Sequence, residues 1–578
     1  MRYTDAGIPM PAMLELLLSK LESARNCVGT GASAPIKKLL NQLSRREFRD
    51  AKSLIRFHEA LLFLRAFPQS SSLVGPVEKL LDTFHQRVAG LRALGDDLSA
   101  FDDFDTSGIA GTTMQDTVNF EVARWLVERI PRNVEIPWDD YDDERAMGSV
   151  WPHLIPLLEE DSDVEANIPW RRWLDAARGH DGDLQWLLRQ FERLRYPGRF
   201  NAEIYDSLRL PLRWHLENLK LSRTRNWQRP RKFFFHRKPL IQRKDVSLRE
   251  ELSRPAPRLV RLSYHEGEAV MRWIREAMVV RYRELYGTTL GDSRSVLRAE
   301  VGRGVIIYLW NLPAERRLPL RAYVAGFTLK NGVPINYIEG IGLCDWMEVG
   351  FNTFYTYRQG ETAWIYAQAL RCLCAFTAAT TFSVYPYQIG QNNEEALDSG
   401  AFWFYRKLGF RSGNPELEEL ARNEEKKIAG DLRYRTPRRV LKRLAEAHVF
   451  YDLKSGATEG KMRGAWDRFS TRNLGLRVNR RMAGEFNGDA ERIREASVDQ
   501  VSRVLKIHGK RWTAAERRAL ENWSLVLALI PGLADWSSEE KREMVAIIRA
   551  QAGASETRYL RLTQRHTRLR EEVLRLGS

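Results

Sequence analysis

The dipeptide Asn331-Gly332 lies between two long apolar runs, Leu320 to Leu329 and Val333 to Leu343. A two-residue turn of this composition takes positive φ at both positions and matches the twist of antiparallel strands. A long hairpin is therefore predicted, and the neighbouring segments fall into order around it. Arg258 to Tyr264 alternates Val260, Leu262 and Tyr264 as a strand does, and Gly267 to Tyr286 carries Val270, Ile274, Ala277, Met278 and Leu285 at helical spacing. Val305 to Leu309 is a β-branched apolar run. After the hairpin come a polar turn, a helix over Thr362 to Ala379, a strand over Thr381 to Tyr387, a helix over Glu394 to Leu408 and a strand beginning at Phe410. Strand, helix, three strands, helix, strand, helix, strand is not a doubly wound order. It predicts a mixed sheet with an antiparallel first half.

At 578 residues the chain is too long for a single hydrophobic core. Ala12 to Ala24, Ile36 to Ala66, Val77 to Leu94 and Val118 to Ile130 have apolar residues three and four apart, which predicts helices. Pro131, Pro137, Pro152, Pro156 and Pro169 then punctuate shorter, Trp-rich elements. Beyond Pro415 no strand pattern stands out. Val440 to Ala447, Glu516 to Ile530 and Ser538 to Ala550 read as helices, and Tyr559 to Leu576 as a solvated helix or a coiled-coil-like arm. The expectation is an α+β chain whose central mixed sheet is flanked by all-α segments. The boundaries are a helical region over 1–245, a sheet domain over 246–415 and a helical region over 416–578.

Four cysteines in so long a chain make no disulfide framework, and no metal site is offered. Cys372 and Cys374 point to different faces of a predicted helix, so buried free thiols and a reducing cytoplasm are expected. No apolar stretch approaches the roughly 20 residues of a membrane span. Asp5, Pro9 and Pro11 interrupt any export signal. The net charge of +16 is uneven. Lys220 to Lys244 holds many Lys and Arg, no Asp or Glu, and Trp227, Phe233, Phe234, Phe235 and His236 among them. Such a segment attracts nucleic acid, an acidic partner or cofactor phosphates, or it pairs with acidic stretches of the same chain.

Two places carry chemistry. Tyr357-Arg358-Gln359-Gly360-Glu361-Thr362-Ala363-Trp364 forms a turn leading into a helix, where unpaired N–H groups and the helix dipole favour an anion. Ala401-Phe402-Trp403-Phe404-Tyr405-Arg406-Lys407-Leu408-Gly409-Phe410 ends a helix at a glycine and starts a strand. Together with the element order, these two places resemble the GNAT N-acetyltransferase superfamily over about a quarter of the chain.

The resemblance implies acetyl-CoA or another acyl-CoA as co-substrate, with its pyrophosphate on the backbone of Arg358, Gln359, Gly360, Glu361, Thr362 and Ala363. The family pattern there is Gln/Arg-x-x-Gly-x-Gly/Ala. Arg358 and Ala363 fit it, whereas Glu361 replaces the central glycine and Gly360 stands one position early. Tyr405 occupies the place of the tyrosine that protonates the departing thiolate, and Asp398 stands where the family usually has Asn. A strand glutamate, Glu339 or Glu348, would be the general base for direct attack of an amine. The implied function is an N-acyltransferase with an unspecified amine acceptor. The alternative is a catalytically degenerate GNAT-like binding or scaffold module, associated with nucleic acid through Lys220 to Lys244. Glu361 favours the alternative; Tyr405 and Leu408-Gly409-Phe410 favour the enzyme. His448 and Asp452 form a His-x-x-x-Asp spacing reminiscent of another acyltransferase class. Val449 to Tyr451 read as a helix end, and the pair is set aside.

Overall fold

The computed structural model describes residues 10–26, 31–156, 170–195, 199–217, 220–283, 285–431, 433–453, 465–508 and 511–578. The readings on the first nine residues, on Cys27 and on Pro169 lie outside them. The chain divides into two compact units. The first comprises Met1–Pro239, Val270–Thr289 and Asn331–Pro334; the second comprises Leu240–Ala269, Leu290–Lys330 and Ile335–Ser578.

In the first unit, helices Met10–Ala24, Ser71–Asp82 and Phe84–Ala93 pack against helix Ala51–Ala66, which is buried along most of its length. Asp50 caps that helix by accepting the Ser53 N–H at 2.7 Å. The unit is not all helix, as expected, but contains a three-stranded antiparallel sheet. Its strands are β1 (Thr113–Thr117), β2 (Val134–Glu135) and β3 (Pro211–His215), in the order β1-β3-β2. Trp214 of β3 stands opposite Met114 on one side and Val134 on the other, and all three are buried in one core. These strands are two to five residues long, and β1 buries little beyond Met114. Alternation over so few residues leaves no signal above background.

The second unit is built on a nine-stranded mixed sheet. Its strands are β4 (Leu259–Arg261), β5 (Leu297–Gly302), β6 (Val305–Asn311), β7 (Ala322–Lys330), β8 (Val333–Leu343), β9 (Trp346–Thr353), β10 (Thr381–Val384), β11 (Arg411–Ser412) and β12 (Val449–Asp452). Their order is β11-β12-β10-β9-β8-β7-β6-β5-β4. β9 and β10 pair in parallel, whereas β8 runs antiparallel to β9 and β12 antiparallel to β10. Helix Thr362–Thr377 makes the crossover that a parallel pair requires. The predicted turn joins β7 to β8, with φ of 47° at Asn331 and 79° at Gly332. A side chain on Gly332 would also collide with the Gln228 carbonyl.

Three further expectations need correction. β5 and β9 are strands that patterning passed over, because charged and glycine positions interrupt their apolar residues. The helix over Glu394 to Leu408 is two helices, Glu394–Asp398 and Ala401–Lys407, parted at Gly400 with φ 67°. Beyond Pro415 the chain still supplies β12, so the C-terminal segment is not all helix.

The last segment is no solvated arm. It breaks at His566 into helices Glu556–Arg565 and Thr567–Gly577, which bury Leu560, Leu569 and Val573. Glu556 accepts the Tyr323 N–H at 2.9 Å, and Gln564 Nε2 donates to the Cys344 and Thr377 carbonyls at 3.0 and 2.9 Å. These bonds tie the first of the two helices to the sheet.

Candidate functional site

Helix Thr362–Thr377 begins without a side-chain cap. The N–H groups of Thr362, Ala363 and Trp364 meet no protein acceptor among the described residues, as the first turn of a helix leaves them. The Thr362 hydroxyl instead donates back to the Arg358 carbonyl at 3.2 Å, and the Gly360 N–H donates to the Tyr357 carbonyl at 2.8 Å, tightening the turn. Gln359 is exposed at its outer edge.

Glu361 is fully buried and faces away from this turn. Its carboxylate accepts from both Nε and Nη2 of Arg303 and from the Ile241 N–H at 3.2 Å, and Lys330 Nζ lies 3.4 Å away. Burial pushes the Lys330 ammonium down to about 7, against the pull of Glu361. The residue in the glycine position thus joins a buried ion cluster and presents no charge to an anion at the helix end. Arg358 is ion-paired with Glu395 and lies over the Tyr355 ring, 5.5 Å from its centroid. Asp398 pairs with Arg438.

The sheet opens beside this crossover. β10 pairs with β9 only from Thr381 opposite Trp346 to Ser383 opposite Glu348. β9 continues to Thr353, while β10 ends at Val384 and the chain turns away through Pro386. At the point of parting, Glu348 Oε2 lies 2.8 Å from His448 Nε2, and Arg321 Nη1 lies 3.7 Å from Glu348 Oε1. A cleft of about 300 Å³ begins there. Arg321, Glu348, His448, Tyr385 and Arg472 supply its polar wall; Trp346, Phe450 and Phe469 supply its apolar wall. The Tyr385 ring meets His448 edge-on at 5.2 Å, and the Tyr385 hydroxyl accepts a hydrogen bond from Arg472 at 3.1 Å.

Glu339 stands on β8 opposite Gly350, and Ile341 stands opposite Glu348. The two glutamates are therefore diagonal neighbours on one face. Glu339 accepts the Tyr323 hydroxyl, and burial raises its carboxyl above the usual range. Tyr405 lies on the other side. It packs edge-on against Tyr366 at 5.6 Å, and Tyr366 packs on Phe351, which alternates away from Glu348 along β9. Burial raises its phenol well above the ordinary value. The structure thus brings Glu339, Glu348 and His448, which the sequence reading names and sets aside, to one face, and leaves Tyr405 on the helix side.

In the first unit the basic segment is partly neutralised. Arg223 is buried 2.7 Å from Glu59, and Arg225 lies 2.9 Å from Asp82. Arg229, Arg231, Lys232, Arg237 and Lys238 are exposed. Cys344 and Cys372 are buried and Cys374 half-buried; all three are free, and burial pushes each thiol up to about 12. Among the described residues no group of three or more His, Cys, Asp or Glu could hold a metal ion, and no helix is long and apolar enough to cross a membrane.

No protein-family model matches the chain, and neither a curated protein nor a solved structure matches it.

Proposed function

We propose that the second unit is a GNAT-like N-acyltransferase that passes the acyl group of an acyl-CoA to an amine by direct attack. The observation that carries this reading is the Glu348–His448 pair at the point where β9 and β10, bridged by helix Thr362–Thr377, part. An opening between parallel strands with a helix N-terminus above it suits a thioester whose diphosphate lies on backbone N–H groups. Glu361, tied to Arg303, turns its own carboxylate away from that place.

Glu348 takes the role of base in preference to Glu339, whose carboxyl is occupied by Tyr323 and desolvated. Held by His448, Glu348 accepts the proton of the bound ammonium. The amine nitrogen then attacks the thioester carbonyl carbon, the C–S bond breaks as the thiolate leaves, and the attacking nitrogen sheds a second proton that makes up the one sulfur takes. The resemblance, and no contact with Glu348, assigns the proton that sulfur takes to Tyr405, which burial keeps protonated on the helix side of the sheet. No covalent enzyme intermediate is formed. The test is release of free thiol from acetyl-CoA in the presence of an amine panel, with Glu348→Gln as the control. Acyl-CoA binding without turnover of any amine would reject the enzyme.

A second reading, a non-catalytic binding module, is favoured by the engagement of Arg358 by Glu395. In its nucleic-acid form it draws on the exposed cations Arg229, Arg231, Lys232, Arg237 and Lys238, with Lys220 and Lys244 at the ends of the segment, and on the stacked Phe233 and Phe235, whose centroids are 5.9 Å apart. Binding to RNA or DNA that weakens steeply with salt would support that form; absent or salt-insensitive binding would dispose of it.

A further inference from the structure

The walls of the cleft beside Glu348 carry an excess of positive charge. Arg321 and Arg472 both line it, and Glu348 is the one carboxylate among the described lining residues. That carboxylate is already hydrogen-bonded to His448 at 2.8 Å. The nearest approach of Arg321 to it is 3.7 Å, beyond hydrogen-bond reach. Burial of Arg321 lowers its guanidinium pKa, with the Glu348 carboxylate only partly opposing. Arg472 donates to the Tyr385 hydroxyl and forms no ion pair among the described residues. Helix Thr471–Phe486 begins at the same wall, with Ser470 and Thr471 lining the space, so its dipole adds to the positive potential.

We infer that the cleft binds a small amine that also carries an anionic group, a carboxylate or a phosphate, seated between Arg321 and Arg472. The ammonium faces Glu348. Because Arg321 and Glu348 are only 3.7 Å apart, the two charges of the ligand are separated by a few bonds. Trp346, Phe450 and Phe469 cover its apolar body. A volume of about 300 Å³ is at the lower end for small-molecule pockets and suits a ligand the size of an amino acid or an amino-sugar phosphate. That this amine is the acyl acceptor rests on the acyltransferase reading; its binding does not.

Calorimetric titration of the full chain tests this with two matched pairs. Phenylalanine is compared with 2-phenylethylamine, which lacks the carboxylate, and glucosamine 6-phosphate with glucosamine. At least one anionic member should bind roughly tenfold or more tighter than its neutral-tailed partner. The pair that responds distinguishes carboxylate from phosphate. Arg321→Gln and Arg472→Ala should each erase most of the preference while acetyl-CoA titrates as in the wild type. Arg472 is exposed, so its variant remains a fair test if Arg321→Gln fails to fold. Equal binding within both pairs, no binding of either anionic amine, or a preference untouched by Arg472→Ala would overturn the inference. Failure of the anionic amines beside normal acetyl-CoA binding would overturn it without touching the acyltransferase reading. Anionic-amine binding without acetyl-CoA binding would uphold the cleft and remove its role as acceptor site.

Discussion

Glu348 on β9 and His448 at the start of β12 are 100 residues apart in sequence and 2.8 Å apart in space. The sheet makes the pair. Glu348 stands beside Ser383 of β10, and Val384 of β10 stands beside Val449 of β12. If Glu348 is the base, Glu348→Gln should lower kcat by about 10²- to 10⁴-fold with little change in acyl-CoA affinity. Steady-state kinetics paired with calorimetry checks this. Loss of activity in Glu339→Gln with Glu348→Gln near wild type would move the role to the neighbouring strand.

The Glu361 cluster predicts a stability effect. Removing one partner of a buried ion pair strands the other, at a cost of about 3–5 kcal/mol. Glu361→Gln leaves Arg303 and Lys330 without their carboxylate and should lower the urea midpoint accordingly. Glu361→Gly, which puts the glycine of the GNAT pattern at this position, should destabilise at least as much and should not tighten acyl-CoA binding. Tighter binding at unchanged stability would mean that the carboxylate does reach the helix end.

Much of the sheet was readable in advance for local reasons. Asn331-Gly332 fixes a turn type, and the runs on either side are long enough to show as strands. β12 was not, because Val449 to Tyr451 is four residues from a helix and lacks alternation; its strand state comes from pairing with β10. The two glutamates could be proposed from sequence, but choosing between them required Tyr323 and His448. Nothing local marks Arg321 or Arg472, since a lone arginine is ordinary until a cleft surrounds it. The fate of Glu361 likewise depends on Arg303, 58 residues away in the turn between β5 and β6.

Tyr405 separates packing from chemistry. Its ring fills space between Tyr366 and Phe410, and phenylalanine keeps that ring. Tyr405→Phe should therefore fold with a thermal midpoint close to wild type while turnover falls by roughly tenfold or more. Unchanged turnover would reduce Tyr405 to a packed aromatic.

Glu556 gives the fold a pH signature. Desolvation raises its carboxyl to about 7 from 4.5, with Arg317 and the N–H groups of Tyr323 and Leu312 opposing. The folded state thus holds a proton that the unfolded chain releases between those values. The contribution is fully present below about 4.5 and is lost as pH rises through 7. Its size is on the order of 3 kcal/mol. Glu556→Gln should flatten the dependence of the urea midpoint on pH across that window; an unchanged slope would assign it elsewhere.

The most direct test of the acyltransferase account is calorimetric titration of the full chain with acetyl-CoA and a long-chain acyl-CoA. The account predicts saturable binding of at least one at a single site per chain, retained in Glu348→Gln. No binding of either would contradict it.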